Sequence, residues 1–120
     1  MVNNESQEMY LETILKLQQR KGNVRAIDVA EELGYSKPSV SRAVGIMKTD
    51  GFIVVHPDGM IELTDTGRAR AQNVFDRHLA LTQALVQMGM YVEAAEDNAC
   101  RVEHVITEEA FEAIRKYFNV

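Results

Sequence analysis

The sequence has 120 residues, and its 13 basic and 18 acidic side chains give a formal net charge of −5. No apolar run reaches the roughly 18 residues that span a bilayer, so the sequence predicts no membrane-spanning helix. One cysteine excludes an internal disulfide, and the expected location is the reducing cytoplasm. An apolar content of 46% with two prolines is typical of a folded, helical protein.

The first half of the chain predicts three helices followed by a β-hairpin. Apolar residues recur at helical spacing, with Ile27 facing inward from the second helix. Gly34 ends that helix, and Ser36 caps the third one. Two short apolar runs follow, joined by the turn residues His-Pro-Asp-Gly. The predicted elements are a helix ending at Gly22, helices over 25–33 and 37–50, and strands over 52–55 and 60–63.

The second half of the chain predicts helices only. A long helix is expected from Asp65, or the residue before it, to about Met88. Two further helices are predicted over 92–105 and 108–118, and Thr107 is suited to cap the last of them. The sequence therefore favours a mainly α fold.

Positive charge is concentrated in one segment of this acidic chain. Residues 20–48 carry six basic side chains against three acidic ones, a local net charge of +3. Residues 91–120 carry three basic and seven acidic side chains, a local net charge of −4. Because of the basic segment, the negative overall charge does not exclude a nucleic-acid partner. The difference in charge between the two segments suggests two functions.

Two short helices joined through a glycine and followed by a hairpin form the pattern of a winged helix-turn-helix. The helix over 37–50 would enter the major groove by its N-terminal end. Arg42 is the best candidate for a bidentate contact to guanine, and Pro38 for an apolar contact to a thymine methyl group. The alternative is an αα-hairpin with a solvated basic face. The candidate DNA-contacting residues are Arg25, Ser36, Lys37, Pro38, Ser39, Ser41 and Arg42.

Two groups of metal-ligating side chains lie off the apolar faces of their predicted helices. Met9 lies beside Glu12, away from the apolar stripe of the first helix. Cys100, Glu103 and His104 recur at i, i+3 and i+4, so their donor atoms can point to one spot. Sulfur, nitrogen and oxygen donors together suit a divalent transition metal. For the methionine, the alternatives are a contact with another helix or simple exposure. For the other group, the alternative is a solvated acidic face with a free thiol and a surface imidazole.

His78 differs from these residues because it lies at the centre of the apolar stripe of the long helix. Such a histidine is typically a core residue whose ring is satisfied by a carbonyl or a carboxylate. A neutral imidazole held there would also be a good metal ligand. The residues that share this stripe are Ala71, Val74, Phe75, Leu81, Thr82, Leu85 and Met88.

Five segments, in their order and spacing, resemble the diphtheria toxin repressor and manganese transport regulator family of metal-dependent transcriptional repressors. The segments are EMYLETILKL (8–17), LGYSKPSVSRAV (33–44), LTDTGRARA (63–71), RHLAL (77–81) and NACRVEHVIT (98–107). The resemblance implies a winged helix-turn-helix DNA-binding domain over 1–70 and a helical dimerisation and metal-binding domain over 71–120. It implies a homodimer that binds a palindromic operator in double-stranded DNA, with Fe(II) or Mn(II) as co-repressor. Co(II), Ni(II) or Zn(II) would also bind in vitro.

The resemblance also implies the residues that hold the metal. The implied ligands are Met9, Cys100, Glu103, His104, His78, Glu12 and Glu96. The first four would form the effector site, and the histidine at 78 would belong to a neighbouring one. The glutamate at 12 matches a carboxylate of the manganese-sensing branch, and the one at 96 stands where some members have an ancillary histidine.

Three features depart from the family pattern. The manganese-sensing branch has carboxylates at the positions of Met9 and Cys100, so this ligand set resembles the iron-sensing branch. Typical iron-sensing members have a C-terminal barrel domain beyond the position of Val120, and we expect a short form without it. Thr82 replaces a carboxylate that is common one turn after the histidine.

Other classes of function are weighed against this one. The main alternative is a metal-independent winged-helix regulator in which Cys100 is a redox-sensitive thiol. A pure dimerisation module is a further alternative. We expect no enzyme, because the sequence supplies neither a nucleophile–base pair nor an evident substrate cleft. We also expect no membrane partner and no small organic substrate.

Overall fold

A computed structural model describes residues 4–120, and within that range it contains six helices and one two-stranded sheet. The elements in chain order are α1 (Asn4–Lys21), α2 (Ala26–Leu33), α3 (Lys37–Thr49), β1 (Ile53–Val55), β2 (Ile61–Leu63), α4 (Asp65–Gln87), α5 (Val92–Val102) and α6 (Glu108–Phe118). This mainly helical architecture confirms the predicted fold class. None of the described helices is both long enough and apolar enough to cross a membrane.

The described residues form two compact units. Unit 1 extends to Gln72, and unit 2 comprises Asn73–Val120, so the boundary falls within α4. Helices α1 to α3 and the sheet form unit 1, and the larger part of α4 with α5 and α6 forms unit 2.

The core of unit 1 forms on one face of α1. The apolar residues of this helix recur every three to four positions, which places them on one side of it. This face packs on α2, on α3 and on β2. Because α2 and the strands are too short to be stable alone, this shared burial stabilises them. The fully buried large side chains of unit 1 are Leu11, Ile14, Leu15, Val24, Val29, Val40, Met47, Ile53 and Ile61.

The connection between α2 and α3 depends on two local features. Gly34 has a φ of 70°, a left-handed conformation that side chains disfavour, and its N–H donates to the carbonyl of Ala30 at 2.9 Å. Ser36 is the N-cap of α3, and its Oγ accepts the N–H of Ser39 at 3.3 Å. Both roles were predicted from the sequence.

The hairpin after α3 has strands of three residues, one fewer than the sequence predicts. Ile53 pairs with Leu63 and Val55 with Ile61 in an antiparallel register. The N–H of Ile61 also donates to the carbonyl of Val24 at 2.7 Å, which joins the hairpin to the segment between α1 and α2. The order α2, α3 and hairpin is that of a winged helix-turn-helix.

The prediction that Ile27 faces inward is wrong. Its side chain is 40% exposed, whereas Val29 and Ala30 of the same helix are buried. At 100° per residue the inward face of α2 is centred between these two residues, and position 27 falls about 110° away from that centre. With only eight residues, α2 can bury no more than one narrow face.

Unit 2 has a small core of its own between α4, α5 and α6. The N-cap of α6 is Thr107, as predicted, and its Oγ1 accepts the N–H of Ala110 at 3.1 Å. Glu108 and Glu109 occupy the first turn of α6, where carboxylates interact favourably with the helix dipole. The buried cluster consists of Ala80, Leu81, Ala99 and Phe111, with Ile106, Ile114 and Val120 packed against it.

Two predictions in unit 2 need correction. Helix α5 ends at Val102 rather than at 105, because the N–H groups of Val105 and Ile106 both donate to the Val102 carbonyl and close a turn there. Met88 was expected in the buried stripe of the long helix, yet it is 66% exposed. Because α4 ends at Gln87, Met88 lies outside the helix, and its side chain is not held on the buried face of α4 by the helical geometry.

Candidate metal centre and nucleic-acid face

The Glu103 carboxylate lies at the centre of a polar cluster in unit 2. Its backbone N–H donates to the carbonyl of Ala99 at 2.9 Å, so Glu103 continues the path of α5 by one residue. Its Oε2 lies 2.8 Å from His78 Nδ1, and its Oε1 lies 3.2 Å from His104 Nε2. The side chain is fully buried. The structure thus brings together three of the predicted ligands, two imidazoles and one carboxylate.

Arg77 holds the turn that carries Glu103 and His104. Its Nη1 donates to the Glu103 carbonyl at 2.9 Å, and its Nη2 donates to Glu108 Oε2 at 3.3 Å. The guanidinium group also lies 5.6 Å from the centre of the Phe111 ring, within cation–π range. One side chain of α4 therefore joins the end of α5 to the start of α6. The sequence interpretation missed Arg77, although it lies next to His78 in the RHLAL segment.

The position of His78 fits both interpretations given above. Its ring is satisfied by the Glu103 carboxylate, as expected of a core histidine; when Glu103 is ionised it can only accept, so the proton of this contact is then on Nδ1. A carboxylate that orients an imidazole in this way is also the usual partner of a metal-ligating histidine. One turn later the Oγ1 of Thr82 donates to the His78 carbonyl at 2.8 Å, so the residue that replaces the family carboxylate bonds to the helix backbone.

The interpretation of the end of α5 as a solvated acidic face is wrong for Glu103. Glu103 is buried and the His104 side chain is 10% exposed, whereas Val102 and Val105 are 38% and 62% exposed. Cys100 and Glu96, one and two turns earlier, are exposed. Buried oxygen and nitrogen donors within 3.2 Å of each other, with a thiol one turn away, fit a divalent transition metal better than calcium or magnesium.

Met9 and Glu12 lie one turn apart on α1, in unit 1. The Glu12 side chain is buried, and its Oε2 lies 3.6 Å from Lys16 Nζ. The Met9 side chain is half-buried, and its Sδ accepts a hydrogen bond from the hydroxyl of Tyr35 at 3.8 Å. The Tyr35 ring makes a T-shaped contact with the ring of Tyr10, whose pKa is raised by burial and by the neighbouring phenol. Nothing in the sequence pattern indicated a role for Tyr35.

The candidate nucleic-acid face lies at the N-terminal end of α3. The first turns of α3 and the cap before it expose hydroxyl and basic side chains that can reach phosphates or base edges. The exposed candidates there are Ser36, Lys37, Pro38, Ser39, Ser41 and Arg42.

Arg25 has a different setting from the other candidates. It is the N-cap of α2, and its guanidinium group contacts the tip of the hairpin, with Nε 3.3 Å from the Asp58 carbonyl and Nη2 3.4 Å from Asp58 Oδ2. Its expected contact to DNA would therefore be made from the junction of α2 and the hairpin.

Two models of one protein family match consecutive parts of the chain. The model described as "Iron dependent repressor, N-terminal DNA binding domain" matches residues 4–61. The model described as "Iron dependent repressor, metal binding and dimerisation domain" matches residues 64–120. The two matches share a family and follow each other without overlap.

Curated relatives and solved structures agree with these matches. The diphtheria toxin repressor of Corynebacterium diphtheriae is 37% identical over 103 residues, 85% of this chain and 46% of the relative. The iron-dependent repressor IdeR of Mycobacterium tuberculosis is 37% identical over 113 residues, 93% of this chain and 49% of the relative.

Among solved structures, a manganese-dependent transcriptional repressor in complex with manganese is 26% identical with a TM-score of 0.85, covering 94% of this chain and 52% of its own. T. acidophilum IdeR is 26% identical with a TM-score of 0.79, covering 94% of this chain and 54% of its own. The chain spans about half the length of the curated relatives that it matches.

Proposed function

Because the chain belongs to the iron-dependent repressor family, we propose that it is a metal-dependent transcriptional repressor that binds palindromic operator DNA as a homodimer. Fe(II) or Mn(II) would act as the co-repressor. The observation that carries the proposal is the buried Glu103 carboxylate between the imidazoles of His78 and His104. Such a cluster is costly to bury unless every charged group in it is compensated, and a divalent cation compensates a carboxylate directly.

The proposed ligands divide between the two halves of the chain. In unit 2, Cys100, Glu103 and His104 supply sulfur, oxygen and nitrogen to the effector site, His78 belongs to a neighbouring site, and Glu96 is at an ancillary position. In unit 1, Met9 and Glu12 complete the set, and their assignment rests on the resemblance in sequence. The proposed domains are residues 1–70 for DNA binding and residues 71–120 for dimerisation and metal binding. The proposal is supported by the ranges of the two matched family models, 4–61 and 64–120.

Residues next to the proposed site hold the Glu103 ligand in position. Arg77 fixes the Glu103 backbone through its carbonyl, and His78 fixes one carboxylate oxygen. A bound divalent cation supplies positive charge and a link between its ligands. The ion can favour the DNA-competent state only by binding it more tightly, and a change from 1:99 to 99:1 needs about 5.5 kcal/mol of differential affinity.

Exposed apolar side chains on unit 2 support the proposed homodimer. Leu79 and Val86 of α4 are 45% and 41% exposed, and Met88 just beyond the helix is 66% exposed. Leu79 and Val86 are seven residues apart and so lie on one face of α4, and an exposed apolar face typically marks a protein–protein contact. Two symmetry-related α3 helices would enter successive major grooves, about 34 Å apart along the DNA. A palindromic operator follows from that symmetry.

The choice of metal lies between iron and manganese. Relatives are named as iron-dependent, and one similar structure is a manganese complex. Co(II), Ni(II) or Zn(II) would also bind in vitro, since nitrogen, oxygen and sulfur ligands generally follow the Irving–Williams order. The match of residues 64–120 to a metal-binding domain weighs against a metal-independent regulator with a redox-sensitive Cys100. We also propose that the chain is not an enzyme, since both family descriptions concern DNA binding, metal binding and dimerisation.

Footprinting with and without metal tests the proposal. Selection from random-sequence duplexes in the presence of Mn(II) supplies the DNA, and protection is then compared in chelator, Fe(II) and Mn(II). We expect protection only with metal, and we expect Glu103→Gln to abolish it because the buried carboxylate is lost. Glu109→Gln is the matched control, since Glu109 is exposed in the first turn of α6. Equal protection in chelator and in metal would contradict metal activation.

A further inference from the structure

The start of α1 contacts both ends of α3. At the C-terminal end of α3, Gln7 Nε2 donates to Oδ2 of Asp50, the C-cap residue, at 3.0 Å. At the N-terminal end, the Tyr35 hydroxyl donates to Met9 Sδ at 3.8 Å. Tyr35 directly precedes Ser36, the N-cap of α3. Two residues of one helical turn are therefore bonded to the residues that bracket the proposed DNA-reading helix.

The contact at Gln7 fixes the backbone of α1 near Met9. The Gln7 side chain is buried, and its Oε1 accepts a hydrogen bond from Arg70 Nη1 at 2.9 Å. The Arg70 guanidinium group also lies 5.1 Å from the centre of the Phe52 ring. Because these partners come from α3, α4 and the hairpin start, the first turns of α1 have a defined position within unit 1. The freedom left to Met9 is then that of its side chain, which has three rotatable bonds.

The Tyr35 hydroxyl restricts that freedom. The Tyr35 ring makes a T-shaped contact with the buried Tyr10 ring, with ring centres 6.0 Å apart and planes at 71°, and this contact restricts where its hydroxyl points. A thioether sulfur has two lone pairs and is a weak acceptor. One lone pair can accept the hydroxyl while the other stays available to a ligand.

We propose that Tyr35 is a positioning residue that holds the Met9 thioether through its hydroxyl and couples that sulfur to the N-terminal end of α3. This inference rests on the proposed function, because it assumes that Met9 is a metal ligand. A displacement of Met9 Sδ on metal binding would be passed through Tyr35 to the adjacent Ser36. The Ser36 hydroxyl caps α3 by accepting the Ser39 N–H, so the N-terminal turn of the DNA-reading helix would respond.

The Tyr35→Phe substitution tests the inference in the full chain without metal and with Zn(II) or Co(II) alone as the probe. Tyr117→Phe is the matched control, because it removes an equivalent hydroxyl from an 84% exposed ring in unit 2. The protein is labelled at the methionine methyl groups, and the Met9 signal is identified through Met9→Leu. In chelator, we expect Tyr35→Phe to shift the Met9 methyl resonance, because the thioether gains rotameric freedom. An unchanged resonance would overturn the inference.

Metal titrations then separate this inference from the proposed function. We expect Tyr35→Phe to weaken Co(II) binding about two- to tenfold, because a Met9 side chain that the hydroxyl no longer orders must be ordered on binding, and Tyr117→Phe to leave it unchanged. If Met9→Leu does not weaken Co(II) binding, the proposed ligand set fails. If Met9→Leu weakens it and Tyr35→Phe does not, only the positioning role fails.

The coupling to α3 has its own readout in the amide resonance of Ser39. We expect saturating Zn(II) to shift this resonance in the wild type and in Tyr117→Phe, and to shift it by less than half as much in Tyr35→Phe. An equal shift in all three proteins, or none in the wild type, would overturn the coupling.

Discussion

Gly67 in the first turn of α4 provides the sharpest test of packing in unit 1. A Cβ at this position would lie 1.9 Å from the carbonyl oxygen of Phe52 and 2.8 Å from its carbonyl carbon. Real Cβ atoms essentially never come closer than 3.0 Å to such atoms. Gly67→Ala therefore forces the start of α4 and the residues before β1 apart by about 1 Å, since neither backbone can rotate away as a side chain would.

The magnitude follows from three contributions. Overpacking of this kind costs about 1–3 kcal/mol. The Phe52 carbonyl also accepts the N–H of Thr64 at 3.0 Å, and losing that hydrogen bond removes about 1 kcal/mol. The higher helix propensity of alanine offsets at most about 1 kcal/mol of this destabilisation. We expect Gly67→Ala to lower the free energy of unfolding by about 1–3 kcal/mol.

Urea denaturation followed by circular dichroism measures this change, and α3 offers a matched control. A Cβ at Gly45 would meet nothing within 4 Å. Gly45→Ala should therefore raise the free energy of unfolding by about 0.5–1 kcal/mol through helix propensity alone. The same chemical substitution should shift the urea midpoint in opposite directions at the two positions. A Gly67→Ala protein that unfolds at the wild-type urea concentration or above would refute the close approach.

Three further predictions concern single polar groups. Ser36→Ala should lower the free energy of unfolding by about 1 kcal/mol through loss of the α3 cap, measured by urea denaturation, whereas Ser36→Thr should retain most of it. The pKa of Asp28 is lowered mainly by its hydrogen bond from Lys21 and also by the backbone N–H of the α2 N-cap residue. Its contribution to stability should thus be full above about pH 5, and should be lost as the pH falls below 3.8, the ordinary value, through the folded-state pKa. The difference in unfolding free energy between wild type and Asp28→Asn should shrink over that range. Arg77→Met should weaken Co(II) binding more than Arg77→Lys, because only lysine can still donate a hydrogen bond to the Glu103 carbonyl; equal affinities would contradict the positioning role.

The local elements of unit 1 could be predicted because their signals lie within a few residues. Gly34 ends α2 in the left-handed conformation that glycine favours, and Ser36 caps α3 three residues before the amide that it accepts. The same holds for Thr107 at the start of α6. In each case the residue and the group that it satisfies are neighbours in the sequence.

The burial of Glu103 could not be predicted because its partners are distant in sequence. A helical wheel gives the direction of a side chain about its own helix axis, but not which side of that helix is covered. The partners of Glu103 at Arg77 and His78 belong to α4, about 25 residues earlier. The wheel therefore grouped Glu103 with His104 and left open whether that face was solvated. Ile27 was misassigned for the same reason, since its spacing fits a helix whose covered face lies elsewhere.

Side chains that bond to a proposed ligand but belong to no recognisable sequence motif were also not identified from the sequence. Arg77 and Tyr35 each contact one residue of the proposed ligand set, through a guanidinium group and a phenol respectively. Neither contact has a fixed spacing in sequence, because both partners lie more than 20 residues apart. Such supporting residues follow from tertiary structure alone.

The distribution of charge gives metal binding a second effect on DNA binding in the repressor that we propose. The basic segment 20–48 carries a net charge of +3, but residues 91–120 carry −4 and repel phosphates. Each bound divalent cation adds two positive charges close to Glu103. Salt screens this long-range contribution beyond about 8 Å at physiological ionic strength. The coupling through Met9 and Tyr35 acts by direct contact, so salt does not screen it. Because the two contributions differ in their dependence on salt, the part of metal activation that persists at high salt is the part that depends on the contact between α1 and α3.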